Sequence, residues 1–426
     1  MTARCVATIQ SLAGARTEKR NPCLVQSAII NSMKTGEALQ IGGGNIGRAL
    51  VGEVMSEAGL HLTFADVNEQ LIDDMNNEGG YPVQVVSLDG SKEEYVGGIE
   101  AISSLDEEAM ISRIVSADII TTAVGANILP RVAPSLAKGL MERLRQRPMD
   151  ELHVVVVACE NMERNTETLR DHILAALPDD ESRKLILSKV SFPNCAVDRI
   201  VPNTKSDIDH PLAVITEDYF QLAIDKSALK EEMPSIPGIE LVDDLDAVLA
   251  QKLFTLNGAH AAAAYWGYLK GYETISEAMT DPSIQALVSG LMTEVSSVIV
   301  KHYPSISEPQ QKAFVDKILR RFINPYLKDE PKRVGRDPKR KLNAKDRLLR
   351  PAILAIEDGG TPANINMAIV GGFRFDSPDD PQAIEVNRDI DKYGLDAAIV
   401  GITGLNRKHP LVKQTIAGYN LTELMV

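Results

Sequence analysis

The sequence predicts an α/β fold, with an N-terminal doubly wound parallel sheet followed by a mostly α-helical C-terminal domain. In the first half, short β-branched runs alternate with helical periods, which is typical of a parallel sheet. A glycine-rich turn joins the first run to the first helical period. Beyond about Asp225 the spacing of apolar residues is almost entirely helical. At 426 residues the chain has room for two domains of ordinary size.

Four apolar runs mark the predicted strands of the first half: Ala38–Ile41, Leu60–Ala65, Ile119–Val124 and His153–Cys159. Runs of this kind are typical of parallel strands, which helices cover on both faces. Helical periods lie between them at 45–58, where Gly59 follows as a C-cap, and at 133–145. The second half predicts helices at 244–255, 259–270, 284–302, 308–322 and 384–400.

A glycine-rich turn follows the first predicted strand and opens the first predicted helix. Its sequence, Gly42-Gly43-Gly44-Asn45-Ile46-Gly47, matches G-x-G-x-x-G in the strand–turn–helix context in which that pattern binds a dinucleotide. Gly42 permits the tight turn, Gly44 lets the backbone approach a pyrophosphate, and Gly47 allows close helix–strand packing. Free N–H groups at the helix start favour the phosphate charge. The predicted cofactor-binding residues are Ile41, Gly42, Gly43, Gly44, Asn45, Ile46, Gly47, Arg48 and Asp66.

Asp66 ends the second predicted strand, 19 residues after Gly47. An acid at this point binds the adenosine ribose hydroxyls and repels a 2′-phosphate, so the sequence predicts NAD rather than NADP as the cofactor. The alternative is a glycine-rich turn with a solvated aspartate. We expect a Rossmann-type NAD-binding domain over residues 33–225 and a helical substrate and catalytic domain over residues 226–426.

Lys252, Asn257 and His260 stand in an otherwise apolar helical stretch, with the spacing K-x-x-x-x-N-x-x-H. On a regular α-helix Asn257 and His260 are neighbours, whereas Lys252 lies ~80° around from His260 and ~12 Å away along the axis. Oxidation of a secondary alcohol needs a base, and a lysine serves if burial lowers its pKa. The asparagine can donate to the developing oxyanion. Composition alone favours the alternative of a snorkelling lysine beside a buried asparagine and histidine.

Seven ordered motifs make the chain resemble the polyol-specific long-chain dehydrogenases, and among them the mannitol-1-phosphate 5-dehydrogenases. They are Ala-Leu-Gln-Ile-Gly-Gly-Gly-Asn-Ile-Gly-Arg, Thr-Phe-Ala-Asp-Val-Asn, Thr-Thr-Ala-Val-Gly, Ala-Cys-Glu-Asn-Met, Ala-Val-Asp-Arg-Ile-Val-Pro, Lys-Leu-Phe-Thr-Leu-Asn-Gly-Ala-His and Asn-Pro-Tyr-Leu-Lys-Asp. The resemblance covers roughly Met33 to the C-terminus. The chain departs from it at Gly43, where relatives often have alanine, and at Gly258, where threonine is usual.

This resemblance implies a Rossmann domain followed by a helical domain, with a metal-independent active site in the cleft between them. It implies that Lys252 is the general acid/base and that Asn257 and His260 hold the reacting oxygen. Asn161 matches a second asparagine that completes the oxyanion site. Asp198 matches an acid near the substrate.

Residues 331–350 hold nine Lys/Arg and two acids, a net of +7 in a chain of net charge -14. An anionic sugar phosphate needs such a local positive site, and arginine binds phosphate bidentately. Arg340, Lys341 and Arg347 are the candidate substrate-binding residues that would hold the phosphate. One alternative is a solvated basic loop. Another is a nucleic-acid patch, which the lack of interleaved aromatic residues disfavours.

The expected function is NAD-dependent, metal-independent interconversion of D-mannitol 1-phosphate and D-fructose 6-phosphate. One alternative is a dehydrogenase for a non-phosphorylated polyol or sugar acid on the same fold. The other is a non-catalytic NAD-binding regulator, which would need the glycine turn but not Lys252. The acidic net charge disfavours nucleic acid and anionic lipid as partners, so we expect a small-molecule substrate and a monomer or small homo-oligomer.

Composition also bounds the cellular setting. Only four cysteines are present, none in a C-x-x-C pair, which fits a reducing compartment, and there is no H-E-x-x-H zinc motif. No run of 18 or more apolar residues occurs, so we expect no membrane-spanning helix. We expect a cytoplasmic protein. Residues 1–32 carry several basic residues and few acids, as in an organelle transit peptide, or form a disordered extension before Met33.

Overall fold

A six-stranded parallel sheet forms the centre of the N-terminal half in the computed structural model, which describes residues 36–148, 152–202, 205–233 and 235–422. The strand order is β5-β2-β1-β6-β7-β8, and each adjacent pair is parallel. The second half is mostly helical. The predicted fold class is therefore confirmed. The predicted extension over residues 1–32 lies outside the described residues.

The twelve strands of the described residues are β1 (Glu37–Ile41), β2 (His61–Asp66), β3 (Gly80–Ser87), β4 (Gly90–Gly97), β5 (Ile99–Ser103), β6 (Ile119–Thr122), β7 (Val154–Ala158), β8 (Val190–Ser191), β9 (Cys195–Asp198), β10 (Val214–Glu217), β11 (Gln221–Asp225) and β12 (Ile239–Val242). The helices of the first half are α1 (Gly47–Gly52, a π-helix, continuing as Glu53–Glu57), α2 (Glu69–Glu78), α3 (Glu107–Ser116), α4 (Leu129–Gln146), α5 (Asn165–Ala175) and α6 (Asp180–Lys189).

The helices of the second half begin with α7, which runs through three segments, Leu245–Ala250, Gln251–Asn257 and Gly258–Leu269. They continue as α8 (Ile275–Ala278), α9 (Pro282–His302), α10 (Glu308–Phe322), α11 (Pro331–Gly335), α12 (Pro338–Lys341), α13 (Leu349–Glu357), α14 (Ala363–Arg374), α15 (Pro381–Tyr393), α16 (Leu395–Thr403) and α17 (Pro410–Thr422).

The side chains of the large sheet divide between two hydrophobic cores. In β7, Val155 and Val157 face one core, while Val154 and Val156 face the other. This alternation makes the sheet doubly wound, because successive side chains of a strand point to opposite faces. The strand order turns back between β1 and β6, and the crevice at the carboxyl ends of such strands is where α/β sheets bind ligands.

Two smaller sheets extend this half. Strand β10 pairs with β3, which pairs with β4, and β11 lies between β9 and β12. The strands therefore continue to Val242, and the helical half starts at Leu245. The boundary that we place between residues 225 and 226 falls between β11 and β12, and it stays a prediction.

Three predicted helices of the second half, 244–255, 259–270 and 384–400, are wrong in outline. The predicted break between 255 and 259 does not exist, because Gln251–Asn257 winds as a π-helix that joins the α-helical segments on either side into one helix. The predicted helix 384–400 is two helices, because Gly394 adopts a φ of +82° between α15 and α16. Only glycine adopts such a backbone without strain.

Among the described residues one helix, α9, is long and apolar enough to cross a membrane by length and composition. Its residues Val288, Leu291 and Val295 are fully buried in the helical core. A core helix meets the same test, so this helix is weak evidence for a membrane span. The expectation of no membrane-spanning helix stays a prediction.

A buried arginine ties the helical half to the small sheets. Arg321 of α10 donates from both Nη atoms to the two carboxylate oxygens of Asp198, at 2.9 and 3.0 Å. It also donates from Nε and Nη2 to Glu217 at 2.7 Å. All three side chains are at most 4% exposed, and the Tyr219 ring packs against the guanidinium at 4.7 Å. One cation therefore neutralises part of the charge of two buried acids.

We expect Arg321→Met to lower the free energy of unfolding by ~3–5 kcal/mol, because it leaves two buried carboxylates without their cation. Equilibrium denaturation in urea measures this difference. Arg320→Met is the matched control, since Arg320 is exposed on the same helix, and it should change the free energy by no more than ~0.5 kcal/mol. Equal effects of the two substitutions would contradict the role given to Arg321.

Candidate active site

The glycine turn after β1 shows why three of its positions are glycine. Gly42 has a φ of +99°, and a Cβ atom there would lie 2.5 Å from the Ala123 carbonyl oxygen. A Cβ atom at Gly47 would lie 2.1 Å from the Gly42 carbonyl oxygen. At Gly44, by contrast, no atom lies within 4 Å of the Cβ position. The turn is thus closely packed beneath and open at Gly44, where a pyrophosphate can approach.

Asp66 holds this turn from the end of β2. One carboxylate oxygen accepts the Gly43 N–H at 2.7 Å, and the other accepts the Asn68 N–H at 3.0 Å. The side chain is half-buried beside the exposed Gly44 and Asn45. The acid therefore has two functions open to it, tethering the turn and facing a ribose.

Three predicted cofactor-binding residues are less exposed to solvent than Gly44 and Asn45. Arg48 donates from Nε to the Gly43 carbonyl oxygen at 2.9 Å and from Nη1 to that of Leu212 at 2.5 Å. The guanidinium thus supports the turn through backbone carbonyls. Ile41 is buried at the end of β1, and Ile46 is half-buried at the start of the helix.

Glu160, a residue that the sequence reasoning missed, holds the neighbouring turn after β6. Its Oε1 atom accepts the Val124 N–H at 2.9 Å and the Thr122 hydroxyl at 3.1 Å, and its Oε2 atom accepts the Gly125 N–H at 2.9 Å. Glu160 is adjacent to Asn161 in the motif Ala-Cys-Glu-Asn-Met, so a sequence signal for it existed.

The Lys252 ammonium lies where α7 meets the ends of β7 and β9. Nζ donates to the Val197 carbonyl oxygen at 2.5 Å and lies 3.5 Å from Oδ1 of Asn161. Burial lowers the pKa of Lys252; the charge of Asp198 opposes this effect, and that of Arg321 adds to it. The structure thus brings together two of the four predicted catalytic residues, Lys252 and Asn161. The lowered pKa of Lys252 makes loss of its proton easier than for an exposed lysine.

The π-helical segment changes the geometry expected between Lys252 and Asn257. Residues five apart on an α-helix are rotated by ~140° about the axis. A π-helix closes its hydrogen bonds between residues five apart, so such residues lie on successive turns of one face. Lys252 and Asn257 therefore share a face, and the regular helix assumed from the sequence is wrong. The Asn257 side chain is half-buried and has no hydrogen-bond partner among the described residues.

Gln311 of α10 supports the π-helical segment from its buried side. Its amide donates to the hydroxyls of Thr255 and Ser296, both at 3.0 Å, and accepts from the Gln251 amide at 2.9 Å. Gln311 is 1% exposed. Buried amides of this kind stabilise one arrangement only, because a shifted helix would leave them unpaired.

The His260 ring contacts the side chains of Asp329 and Phe322. Its Nε2 atom lies 3.0 Å from Oδ2 of Asp329, and its ring stacks on Phe322 with 4.9 Å between centroids. The other Asp329 oxygen accepts from Nε of Arg333 at 2.9 Å. The sequence reasoning missed Asp329, although it is the last residue of the motif Asn-Pro-Tyr-Leu-Lys-Asp.

Asp198 differs from its expected place near a substrate. Both of its carboxylate oxygens bind Arg321, and the side chain is 4% exposed. It follows Val197, the residue whose carbonyl oxygen receives the Lys252 ammonium. In this position Asp198 acts on Lys252 through its charge, and its substrate contact stays a prediction.

The basic segment is largely neutralised by neighbouring acids. Arg340 is half-exposed and lies 3.7 Å from Asp337 and 3.6 Å from Asp346. Arg347 binds the same Asp346 at 2.7 Å. Lys341 differs from both, because it is 5% exposed and, among the described residues, donates only to the Val334 carbonyl oxygen.

Burial and the charges of Arg347 and Arg340 lower the pKa of Lys341 to about 7. The charge of Arg347 also acts on Lys252 and on Tyr265, whose buried hydroxyl is without a hydrogen-bond partner in the described part of the chain. The charge of Arg347 therefore acts both on Lys341, which contacts no carboxylate among the described residues, and on Tyr265, whose hydroxyl has no hydrogen-bond partner among them.

Two family models match the chain: "Mannitol dehydrogenase Rossmann domain" over residues 36–238 and "Mannitol dehydrogenase C-terminal domain" over residues 244–408. The ternary complex of Pseudomonas fluorescens mannitol 2-dehydrogenase with NAD and D-mannitol is similar, with a TM-score of 0.70 and 19% identity over 91% of this chain and 92% of that chain. A substrate-free D-sorbitol dehydrogenase has a TM-score of 0.75 and 18% identity over 91% and 93%. At these identities the structures show the shared fold. Because the two models span most of the chain, the protein belongs to the mannitol dehydrogenase family and is an oxidoreductase of that family.

Proposed function

We propose that this protein is an NAD-dependent dehydrogenase that interconverts D-mannitol 1-phosphate and D-fructose 6-phosphate. The observation that carries the proposal is the half-buried Lys252, whose ammonium contacts a backbone carbonyl and Asn161 rather than a carboxylate. A lysine with a lowered pKa gives up its proton more readily than an ordinary lysine, and alcohol oxidation requires the neutral amine as the base.

The residues present fit NAD. The open Gly44, the closely packed Gly42 and Gly47, and the acid Asp66 at the end of β2 are the features that hold a pyrophosphate and a ribose. Bound NAD supplies the acceptor for the hydride. The similar mannitol 2-dehydrogenase is a complex with NAD, which supports the same cofactor here.

The chain supplies the proton chemistry. The secondary alcohol at C5 loses its hydroxyl proton to the neutral amine of Lys252 and its carbon-bound hydrogen as a hydride, which leaves the ketone. Because Oδ1 of Asn161 faces the ammonium, the amide N–H groups of Asn161 are free to donate to the substrate oxygen. Asn257 donates from the same face of α7 as Lys252. These donors stabilise the alkoxide as it forms.

Selectivity for a phosphate is assigned to Lys341, Arg347 and Arg340. The support is the buried Lys341, which contacts no carboxylate, in the field of both arginines. A phosphate dianion would restore the charged form of this lysine and could accept from the Tyr265 hydroxyl. Charge-assisted contacts of this kind are among the stronger hydrogen bonds in proteins.

A second candidate is a dehydrogenase for a non-phosphorylated polyol. Asp346 neutralises part of the charge of both Arg340 and Arg347, and the similar structures are named for mannitol and sorbitol. Absorbance of NADH decides between the candidates when the purified protein is given mannitol 1-phosphate, mannitol or glucitol 6-phosphate, each with NAD and with NADP. If mannitol is oxidised and neither of the two phosphorylated substrates is, the proposal of a phosphorylated substrate is excluded.

We expect NAD to be preferred over NADP, and Asp66→Ala to narrow that preference by removing the charge that repels a 2′-phosphate. Asp66→Asn is the matched variant, because it keeps an oxygen acceptor for the Gly43 N–H and loses only the charge. The measurement is kcat/KM with each cofactor. Equal values for both cofactors in the native protein would refute the assignment of Asp66.

Lys341→Met should raise KM for mannitol 1-phosphate by ~10–150-fold, which corresponds to the loss of one charge-assisted contact of ~1.5–3 kcal/mol. Lys339→Met is the control, since Lys339 of the same helix pairs with Glu385, and it should leave KM nearly unchanged. Arg340→Ala and Arg347→Ala should have smaller effects because both arginines share Asp346. If none of the changes at 340, 341 and 347 alters this KM, the phosphate binds elsewhere.

The pH dependence of phosphate recognition provides a further check on Lys341. Its cationic form predominates below its pKa of about 7. For a protein that oxidises both substrates, the ratio of kcat/KM for mannitol 1-phosphate to that for mannitol should therefore fall as pH rises through this value. Taking the ratio removes the dependence on Lys252, which both substrates share. A ratio that stays flat or rises would contradict the charged lysine.

Lys252→Ala should lower kcat by several orders of magnitude and leave NADH binding intact, because the glycine turn lies on the large sheet. In the native protein, oxidation should rise with pH as Lys252 loses its proton, and reduction should fall over the same range. The midpoint should lie below the ordinary lysine pKa of ~10.4, since burial lowers it. A small exogenous amine should restore part of the lost rate. The assignment fails if Lys252→Ala retains most of the native kcat.

A further inference from the structure

Gln40 of β1 contacts the glycine turn from the protein interior, and it is not among the site residues described above. Its side chain is fully buried and donates from Nε2 to the carbonyl oxygens of Ile41 and Gly42, both at 2.9 Å. Its Oε1 atom accepts the Thr121 hydroxyl at 2.6 Å. Because an amide NH₂ donates and an amide oxygen accepts, these contacts fix the side chain in one orientation.

The peptide group between Gly42 and Gly43 is therefore held at both ends. Its carbonyl oxygen accepts from Gln40, and its N–H donates to Oδ2 of Asp66 at 2.7 Å. No described peptide bond is cis, and in a trans peptide group the C=O and N–H bonds point in opposite directions. Gln40 and Asp66 thus bind this peptide group from opposite sides and oppose its rotation.

Arg48 holds the next peptide group by its carbonyl oxygen. Nε donates to the Gly43 oxygen at 2.9 Å, while Nη1 donates to the Leu212 oxygen at 2.5 Å. The Gly44 N–H belongs to the same peptide group as the Gly43 oxygen, so it points away from the guanidinium. Gly44 is exposed, and no atom lies within 4 Å of its Cβ position. In the described part of the chain, the Gly44 N–H is the one polar group of these two peptide groups that is left for a ligand.

We propose that Gln40 and Arg48 are positioning residues for cofactor binding, which fix the two peptide groups so that the Gly44 N–H is available to the pyrophosphate of NAD. The sequence predicts Arg48 as a cofactor-binding residue. Here it acts through the Gly43 carbonyl oxygen rather than through a direct contact of its charge with the phosphate. The inference rests on NAD as the cofactor and not on the choice of polyol.

Titration of NADH fluorescence measures cofactor affinity without turnover. Gln40→Leu and Arg48→Met should each raise Kd for NADH by ~10–150-fold, which corresponds to the loss of one hydrogen bond to a charged group. Arg183→Met is the matched control and should leave Kd unchanged, because Arg183 also donates to two backbone carbonyl oxygens, those of Leu174 and Leu177. An unchanged Kd in either Gln40→Leu or Arg48→Met overturns the proposal.

The double variant separates positioning from a direct charge contact. If both side chains act through the Gly44 N–H, that one contact is lost once. Gln40→Leu/Arg48→Met should then have a Kd close to that of the weaker-binding single variant, because residues that act through a shared partner are not additive. A guanidinium that bound the phosphate itself would act independently of Gln40. Two fold-changes that multiply in the double variant therefore overturn the proposal.

Kinetics distinguish positioning of the turn from a general structural role. In both single variants KM for NAD should rise with Kd, measured with the polyol that the protein oxidises fastest. The value of kcat at saturating NAD should stay close to the native value, because the contacts of Lys252 involve Val197 and Asn161 and not the glycine turn. A kcat that falls as far as Kd rises would mean a structural role only, and so overturns the proposal.

Amide hydrogen exchange of the native protein gives a test that does not depend on the folding of the variants at Gln40 and Arg48. In protein labelled with nitrogen-15 glycine, the Gly44 signal is assigned by its loss in Gly44→Ala, whose added Cβ meets no atom within 4 Å. We expect the Gly44 N–H to exchange rapidly in the free protein and slowly with ADP-ribose, at a concentration that displaces NADH. The Gly43 N–H, which Asp66 accepts, should exchange slowly in both states. A Gly44 N–H that is protected in the free protein, or unaffected by ADP-ribose, overturns the proposal.

The Kd and exchange measurements use NADH and ADP-ribose without a polyol. They therefore stand whether mannitol or mannitol 1-phosphate is oxidised, and failure of the phosphate proposal leaves them unchanged. An unchanged Kd in Gln40→Leu or Arg48→Met, by contrast, refutes the positioning of the turn and leaves the choice of polyol open.

Discussion

The site depends on keeping acids out of contact with the Lys252 ammonium. A carboxylate at hydrogen-bond distance would hold the proton on the amine, whereas the Val197 carbonyl oxygen binds the ammonium without a full opposing charge. Asp198, the acid whose charge acts on Lys252, is held by Arg321, which also binds Glu217. Two carboxylates and one guanidinium would leave a net negative charge in this buried cluster. Burial raises the pKa of Glu217 to about 7, so protonation of Glu217 can remove that charge. The contact that joins the two halves of the chain therefore also sets the charge around the base.

The second constraint is the winding of α7. A π-helical segment is strained relative to an α-helix and persists where the surroundings stabilise it. Here the stabilisation comes from Gln311. The hydrogen bonds of its side-chain amide can form only when Thr255, Ser296 and Gln251 occupy their present positions. The proposed base and an oxyanion donor thus reach one face through packing on the far side of the helix. Gly258 follows directly, and a Cβ there would lie 2.9 Å from the Arg347 carbonyl oxygen, so the backbone of the basic segment packs against α7 at this position.

The net charge of a segment does not show how much of its positive charge is available to a ligand, because neighbouring acids neutralise individual cations. The basic segment carries +7 in sequence, yet Asp346, Asp379 and Glu385 each bind one or more of its cations. Lys341 lacks such a partner because it is buried against the Val334 carbonyl. Surface ion pairs contribute little stability, so the feature of residues 331–350 that matters for recognition is Lys341, which is buried and contacts no carboxylate among the described residues.

The sequence by itself determined the alternating strands and helices, the glycine turn with Asp66, and the family, because those features depend on local periodicity and short motifs. It also predicted that Lys252 and Asn161 belong to one site, and the structure places them 3.5 Å apart; the catalytic roles of these two residues and of Asn257 stay predictions. It did not determine the π-helical winding, since Gln311 lies far along the chain and no local residue in 251–257 requires that winding. Nor did it reveal that Arg321 would take both oxygens of Asp198, or that Asp329 would stand behind His260. These outcomes were decided by the tertiary structure, because hydrogen bonds and charge pairs between distant segments exist only once the two halves have packed together.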